Sequence, residues 1–98
     1  MAQRESRLSR DIRRAIEGEY GHEVFIFKVW GSGHMMVGLP DLVGCLRGKF
    51  FGLEVKHPET RGSTSASQEF VGVRIAAAGG LWRVVTSPRE ALSVLADL

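Results

Sequence analysis

Apolar residues recur along the first segment at helical spacing. Leu8, Ile12, Ala15 and Ile16 share a stripe with arginines between them, predicting an amphipathic helix over 4–17. Gly18 and Gly21 follow where such a helix would stop. The period then changes. "EVFIFKVW" (23–30) is aromatic and β-branched and reads as a strand. "GSGHMMVGLP" (31–40) fits neither period and reads as a loop. "DLVGCLRG" (41–48) and "FFGLEVK" (50–56) read as two strands of a hairpin turning at 47–49. After the polar loop 57–67, a helix is expected over 67–78. Ser65 or Ser67 would cap it, Phe70, Val71, Ile75 and Ala78 would form its apolar stripe, and Gly79-Gly80 would end it. "LWRVVTS" (81–87) is a fourth strand. Ser87, Pro88 and Glu90 then form a helix start of the capping-box type, with Ala91, Leu92 and Leu95 facing inward.

The order α-β-β-β-α-β-α implies a small α/β sandwich. Three strands form an antiparallel meander, and a crossover helix brings the fourth strand parallel to a neighbour. At 98 residues this is one domain, 1–98, with room for one modest core. One cysteine rules out an internal disulfide and fits a reducing, cytoplasmic setting. The charged first fourteen residues do not resemble a signal peptide, and no apolar run approaches a membrane span. The net charge of +2 is too small to demand a nucleic-acid partner by itself. The arginines at 4, 7, 10, 13 and 14 crowd the first helix, either as a solvated face or as phosphate contacts.

The third strand carries an oddity. Phe51, Leu53 and Val55 share a core-facing side, while Glu54 and Lys56 share the other, about 7 Å apart. An isolated pair of this kind is a weak surface ion pair. Asp41 adds a second carboxylate, because the hairpin places it near the open end where Glu54 and Lys56 lie. Asp41 alone reads as a turn residue after Pro40. Together, two carboxylates and an ammonium suit a hard divalent cation that offsets phosphodiester charge and activates a water.

Pro40-Asp41 followed, after twelve residues, by Glu54-Val55-Lys56 resembles the PD-(D/E)xK nuclease signature. The finer similarity is to the virus-type replication-repair nuclease domain (VRR-NUC) in its stand-alone form. It rests on Glu5-Ser6, "KVWGSG" (28–33), Gly38 to Asp41, Gln68, Gly79-Gly80 and the closing segment 87–95. Ser9, where many relatives carry glutamine, departs from the pattern. The resemblance implies a restriction-endonuclease-like αβββαβ(α) sandwich, with a mixed four-stranded sheet flanked by helices. It implies Mg²⁺ or Mn²⁺ held by Asp41, Glu54 and the Val55 carbonyl, with Lys56 acting on the attacking water or the phosphate. Glu5 would complete the metal site directly or through water, or else be a capping or solvent-exposed glutamate. Gln68 would join the catalytic group, or else be a first-turn helix residue. The implied activity is DNA endonuclease cleavage leaving 5′-phosphate and 3′-hydroxyl ends, in a phage or bacterial setting. Stand-alone members resemble resolvases of four-way junctions. The small size adds the expectation of a homodimer.

Lys28 and Trp30 share a strand face where a cation and a ring could meet phosphate and an unpaired base. Ser32, Arg47, Lys49, His57 and Arg61 complete the expected DNA-contacting set, although charged turns and loops are common without it. G-S-G (31–33) lacks the spacing of a dinucleotide fingerprint, so no nucleotide cofactor is expected. No second His or Cys accompanies His34 at zinc-site spacing. Cys45 is expected as a small buried residue, and Trp82 as core or interface. The rival reading is a non-catalytic nucleic-acid-binding or regulatory module on the same fold.

Overall fold

Arg47 and Gly48 reverse the chain with φ angles of 50° and 85°. Two consecutive left-handed residues form a primed turn, whose twist matches the strands it joins. In the computed structural model, which describes residues 2–31 and 34–98 and side chains from Glu5 onward, this turn links β2 (Leu42–Leu46) to β3 (Lys49–Val55). β1 (Val24–Lys28) pairs antiparallel with β2, and β2 pairs antiparallel with β3. β4 (Leu81–Val85) pairs parallel with β3, so the sheet order is β1-β2-β3-β4. A parallel neighbour requires a crossover, which α2 (Ala66–Ala77) supplies. α1 (Ala2–Tyr20) opens the chain and α3 (Pro88–Ala96) closes it. The expected mixed four-stranded sheet flanked by helices is what the chain builds.

Alternation along β3 divides its labour as expected. Phe51, Leu53 and Val55 are buried in one core with Leu42 and Leu46 of β2, Ile12 and Ile16 of α1, and Ala91 and Leu95 of α3. Phe51 pairs across to Gly44, and its ring occupies the space a side chain there would need. α1 and α3 pack on this face of the sheet and on each other.

Several boundaries shift. α1 runs through Gly18 and stops only before Gly21, whose φ of 54° suits glycine. Ser65, rather than Ser67, caps α2. It accepts from the Gln68 amide while the Gln68 side chain accepts from the Ser65 amide, a full capping box. At α3 only half of the expected box forms. Ser87 accepts from the Glu90 amide, but the Glu90 carboxylate accepts from the Thr86 amide, at 2.7 Å, and from Arg61.

The stripe expected on α2 is only partly correct. Val71 is buried and Ile75 partly so, but Phe70 and Ala78 face outward. α2 comes close to the sheet at Gly72, which lies against the Trp82 ring. A methyl group at Gly72 would overlap that ring. Gly72→Ala should therefore lower stability in urea by about 1–3 kcal/mol, the usual scale of overpacking. Gly18→Ala, with nothing within 4 Å of the added carbon, should instead gain about 0.5–1 kcal/mol from helix propensity. Equal effects at the two sites would remove the tight α2–β4 contact as an explanation.

Candidate functional site

The hairpin register sets the site. Leu42 pairs with Leu53, and one further step places Asp41 opposite Glu54 on the same face. Backbone hydrogen bonds extend past the strand ends to hold both partners. The Val29 amide donates to the Asp41 carbonyl at 2.8 Å, and the Lys56 amide donates to the Val85 carbonyl at 3.0 Å. The Asp41 side chain is fixed as well, with Oδ2 accepting from the Val55 amide at 2.7 Å.

Two glycines clear the approach. Gly38, at φ 90°, lies against the Ser67 backbone, so that position admits no side chain. Gly52 leaves room for the buried Pro40. A carbon there would sit 2.8 Å from Pro40 Cγ. Pro40 thus packs down on β3 and delivers Asp41 to Glu54. Gly38 entered the sequence reading only as part of the family resemblance, and Gly52 was given no role there, though a glycine inside a strand is itself a sign of close backbone approach.

Glu54 is 1% exposed. Its Oε1 accepts from Gln68 Nε2 at 2.9 Å. The Gln68 carbonyl oxygen is already taken by the Ser65 amide at 2.8 Å, so the cap orients the side-chain amide toward Glu54. Glu54 Oε2 is buried with no hydrogen-bond partner. Burial first, then the charge of Asp41 and a hydrogen bond that only the protonated form of Glu54 can donate to it, push the Glu54 carboxyl up to about 8, so Oε2 lacks a partner when Glu54 is ionised. Lys56 opposes the rise and Glu5 adds to it, which puts both within electrostatic reach. Among the described residues no three His, Cys, Asp or Glu side chains converge as a ready cation cage. Asp41 and Glu54 meet, and Glu5 stands further off.

This pair fits a hard divalent cation. Like-charged carboxylates directly opposite one another are unfavourable, and a buried oxygen without a partner is rare. A cation bound between them would relieve both conditions using the oxygen ligands that Mg²⁺ and Mn²⁺ prefer.

The expected DNA-contacting residues are dispersed. The Lys28 ammonium lies 5.2 Å from the centroid of the exposed Trp30 ring. With Ser6, Ser9, Arg10 and Arg13 they line an open groove of about 490 Å³ between α1 and β1. Arg47 and Lys49 sit at the turn end of the hairpin, the end opposite Asp41. Arg47 donates to Glu23 at 2.9 Å and lies over the Tyr20 ring. That contact holds the Glu23 carboxyl below its usual range. Arg61 donates to Glu90 at 2.8 Å and to Thr86 at 3.1 Å. His57 lies 3.7 Å from Glu59. Ser32 falls outside the described residues.

No family model matches the sequence, and no curated protein does. Among solved structures, one described as a VRR_NUC domain matches with a TM-score of 0.65. The match covers 91% of this chain and 94% of that one, at 22% sequence identity. The chain has the fold of a VRR_NUC domain. The fold that the sequence resemblance implied is therefore present over nearly the whole chain. Within this VRR_NUC-like fold, Asp41 and Glu54 come from adjacent strands, and Gln68 comes from the crossover helix that follows them. Among the described residues no helix is long and apolar enough to cross a membrane.

Proposed function

We propose that this protein is a divalent-metal-dependent nuclease that hydrolyses phosphodiester bonds in DNA. The observation that carries the reading is the pairing of buried Glu54 with half-buried Asp41, with one oxygen of the Glu54 carboxylate left without a partner. Asp41, Glu54 and the Val55 carbonyl would hold Mg²⁺ or Mn²⁺. When bound, the ion supplies Lewis acidity toward the phosphodiester and its attacking water. Gln68 keeps Glu54 Oε1 engaged, which leaves Oε2 for the ion. Lys56 follows Glu54 by one strand period and supplies an ammonium for charge developing on the phosphoryl oxygens. Glu5 adds negative charge from α1 and would complete the ion's site directly or through water. Lys28 and Trp30 bind the substrate beside the Asp41 end of β1. Arg47 and Arg61 would reach phosphate only by giving up Glu23 and Glu90.

One such centre cuts one strand. Two related by a two-fold axis would cut two, so a homodimer acting on a branched substrate such as a four-way junction fits a chain this small. The test is incubation with supercoiled plasmid, linear duplex and a synthetic four-way junction, in Mg²⁺, in Mn²⁺ and in EDTA. Cleavage is expected with either metal and none with EDTA, and the junction should be cut faster than the duplex. Asp41→Ala and Lys56→Ala should remove the activity. Binding without cleavage would favour the non-catalytic module. Cleavage that persists in both variants would remove the site from the chemistry.

A further inference from the structure

The α1–β1 groove is tied to the metal pair through the backbone. Lys28 ends β1, and Trp30 lies two residues beyond it. Between them, the Val29 amide donates to the Asp41 carbonyl at 2.8 Å. The segment that carries Lys28 and Trp30 thus runs beside Asp41 at about the 5 Å spacing of neighbouring strands. The groove combines cations with one exposed ring. Arg10 and Arg13 reach it from α1 and Lys28 from β1, with the hydroxyls of Ser6 and Ser9 beside them. No carboxylate is among the described residues that line it. Arg13 donates to Glu17 at 3.0 Å, and Arg10 lies 3.6 Å from Asp11. Surface pairs of this kind contribute little, and one such contact does not use up the five N–H donors of a guanidinium. Trp30 is 71% exposed. The Lys28 ammonium lies over its ring, 5.2 Å from the centroid, so one face carries a cation and the other is open to a planar partner.

We propose that this groove holds an unpaired strand of the substrate, with one base stacked on Trp30 and the neighbouring phosphates on Lys28, Arg10 and Arg13, so that the cut falls beside an unpaired nucleotide. The open ring is the first argument. A base inside a duplex is stacked on both faces and reaches Trp30 only by leaving the stack, whereas an unpaired base needs no such step. Charge is the second. Three cations match a few phosphates of one strand, while a duplex site engages about 6–10. A cationic groove beside an exposed aromatic is the construction by which proteins hold single strands. Size is the third. At about 490 Å³ the groove falls within the roughly 300–1,000 Å³ of sites that enclose a small ligand, enough for a base and its sugar. Among branched DNAs, those with unpaired nucleotides at the branch are then the favoured substrates.

This rests on the nuclease reading above and names the substrate it takes. Binding in EDTA tests it without reference to cleavage, using oligothymidylate and a blunt hairpin duplex of equal phosphate count. The unpaired strand should bind more tightly and should quench tryptophan fluorescence. Trp30→Ala should lose the quenching and weaken binding of the unpaired strand about 5- to 100-fold, with duplex binding unchanged. Trp30→Phe, which keeps a stacking ring, should restore most of the affinity. Arg10→Gln and Arg13→Gln should each lower the slope of log affinity against log salt by about 0.7, the value per phosphate contact on a single strand. Arg89→Gln, on the exposed side of α3, should leave that slope unchanged. None of these side chains is buried, so the fold should persist by circular dichroism. Equal affinity for the two DNAs overturns the proposal, as does a Trp30→Ala variant that binds the unpaired strand like the wild type. Binding as described, with no cleavage in Mg²⁺ or Mn²⁺, supports the groove and defeats the nuclease reading. Cleavage with no preference for an unpaired nucleotide defeats the groove and leaves the nuclease reading standing.

Discussion

Glu54→Gln should reduce metal-dependent cleavage about 10³-fold, the scale on which removing one key electrostatic group acts, and should at the same time stabilise the metal-free protein. The opposed directions follow from the position of the carboxylate. Glu54 is buried opposite Asp41 with Oε2 lacking a partner. A glutamine there keeps a carbonyl oxygen for the Gln68 donor and turns an N–H toward Asp41. It removes the like-charge contact and the buried orphan together, and with them the means of holding a cation. Cleavage assays in Mg²⁺ and Mn²⁺, beside thermal melts in EDTA, measure both effects. Full activity in the variant would show that Glu54 holds no essential ion. Loss of activity accompanied by loss of folding would trace the defect to structure. Lys56→Ala provides the contrast. It should lose cleavage too, but it removes the ammonium that favours ionised Glu54, so the carboxyl should rise further. Function is placed here against local stability, a common relation at active sites.

How much of this could be read beforehand depends on the distance over which each feature is decided. The hairpin was legible because turn and strands are contiguous, and Asp41 could be placed near Glu54 from chain spacing alone. The direct opposition of the two required the register. A one-residue slip would send one of them to the other face, and the Arg47-Gly48 turn settles it. Gln68 was matched by resemblance, but its role as a bridge between the helix cap and Glu54 depends on where the crossover lands α2. The outward turn of Phe70 has a related cause. Helical spacing shows which residues share a stripe, not which part of a sheet the helix covers, and contact through a glycine leaves no apolar signal. Arg47 and Arg61 looked available for phosphate because nothing local reveals that Glu23 and Glu90 fold against them. Trp30, which is 71% exposed, could as easily have been half-buried on pattern alone.

Between about pH 5 and pH 8 the metal-free protein should become less stable, and a divalent cation should reverse the loss. The Glu54 carboxyl moves from an ordinary 4.5 to about 8 on folding. The folded state therefore binds this proton more tightly than the unfolded chain does. The associated stabilisation is fully present below the unfolded value and disappears as pH rises through about 8. Each unit of difference corresponds to about 1.4 kcal/mol, so the loss should reach a few kcal/mol. For a domain near this size it should appear as roughly 4–8 °C in the melting midpoint per kcal/mol. Binding of Mg²⁺ or Mn²⁺ needs the carboxylate and so releases the proton. The midpoint gained on adding either ion should thus be larger at about pH 8 than at about pH 5.5. Calorimetric titration of the ion in buffers of different ionisation enthalpy should show proton release near neutral pH. Glu54→Gln should show a flatter pH dependence and no release, because glutamine carries no titrating proton. A wild-type midpoint that stays level across this range, or ion binding without proton release, would mean that Glu54 is already ionised in the folded chain. The Asp41–Glu54 contact would then have to be balanced by Lys56 without an added cation, and the metal site would lose its physical basis.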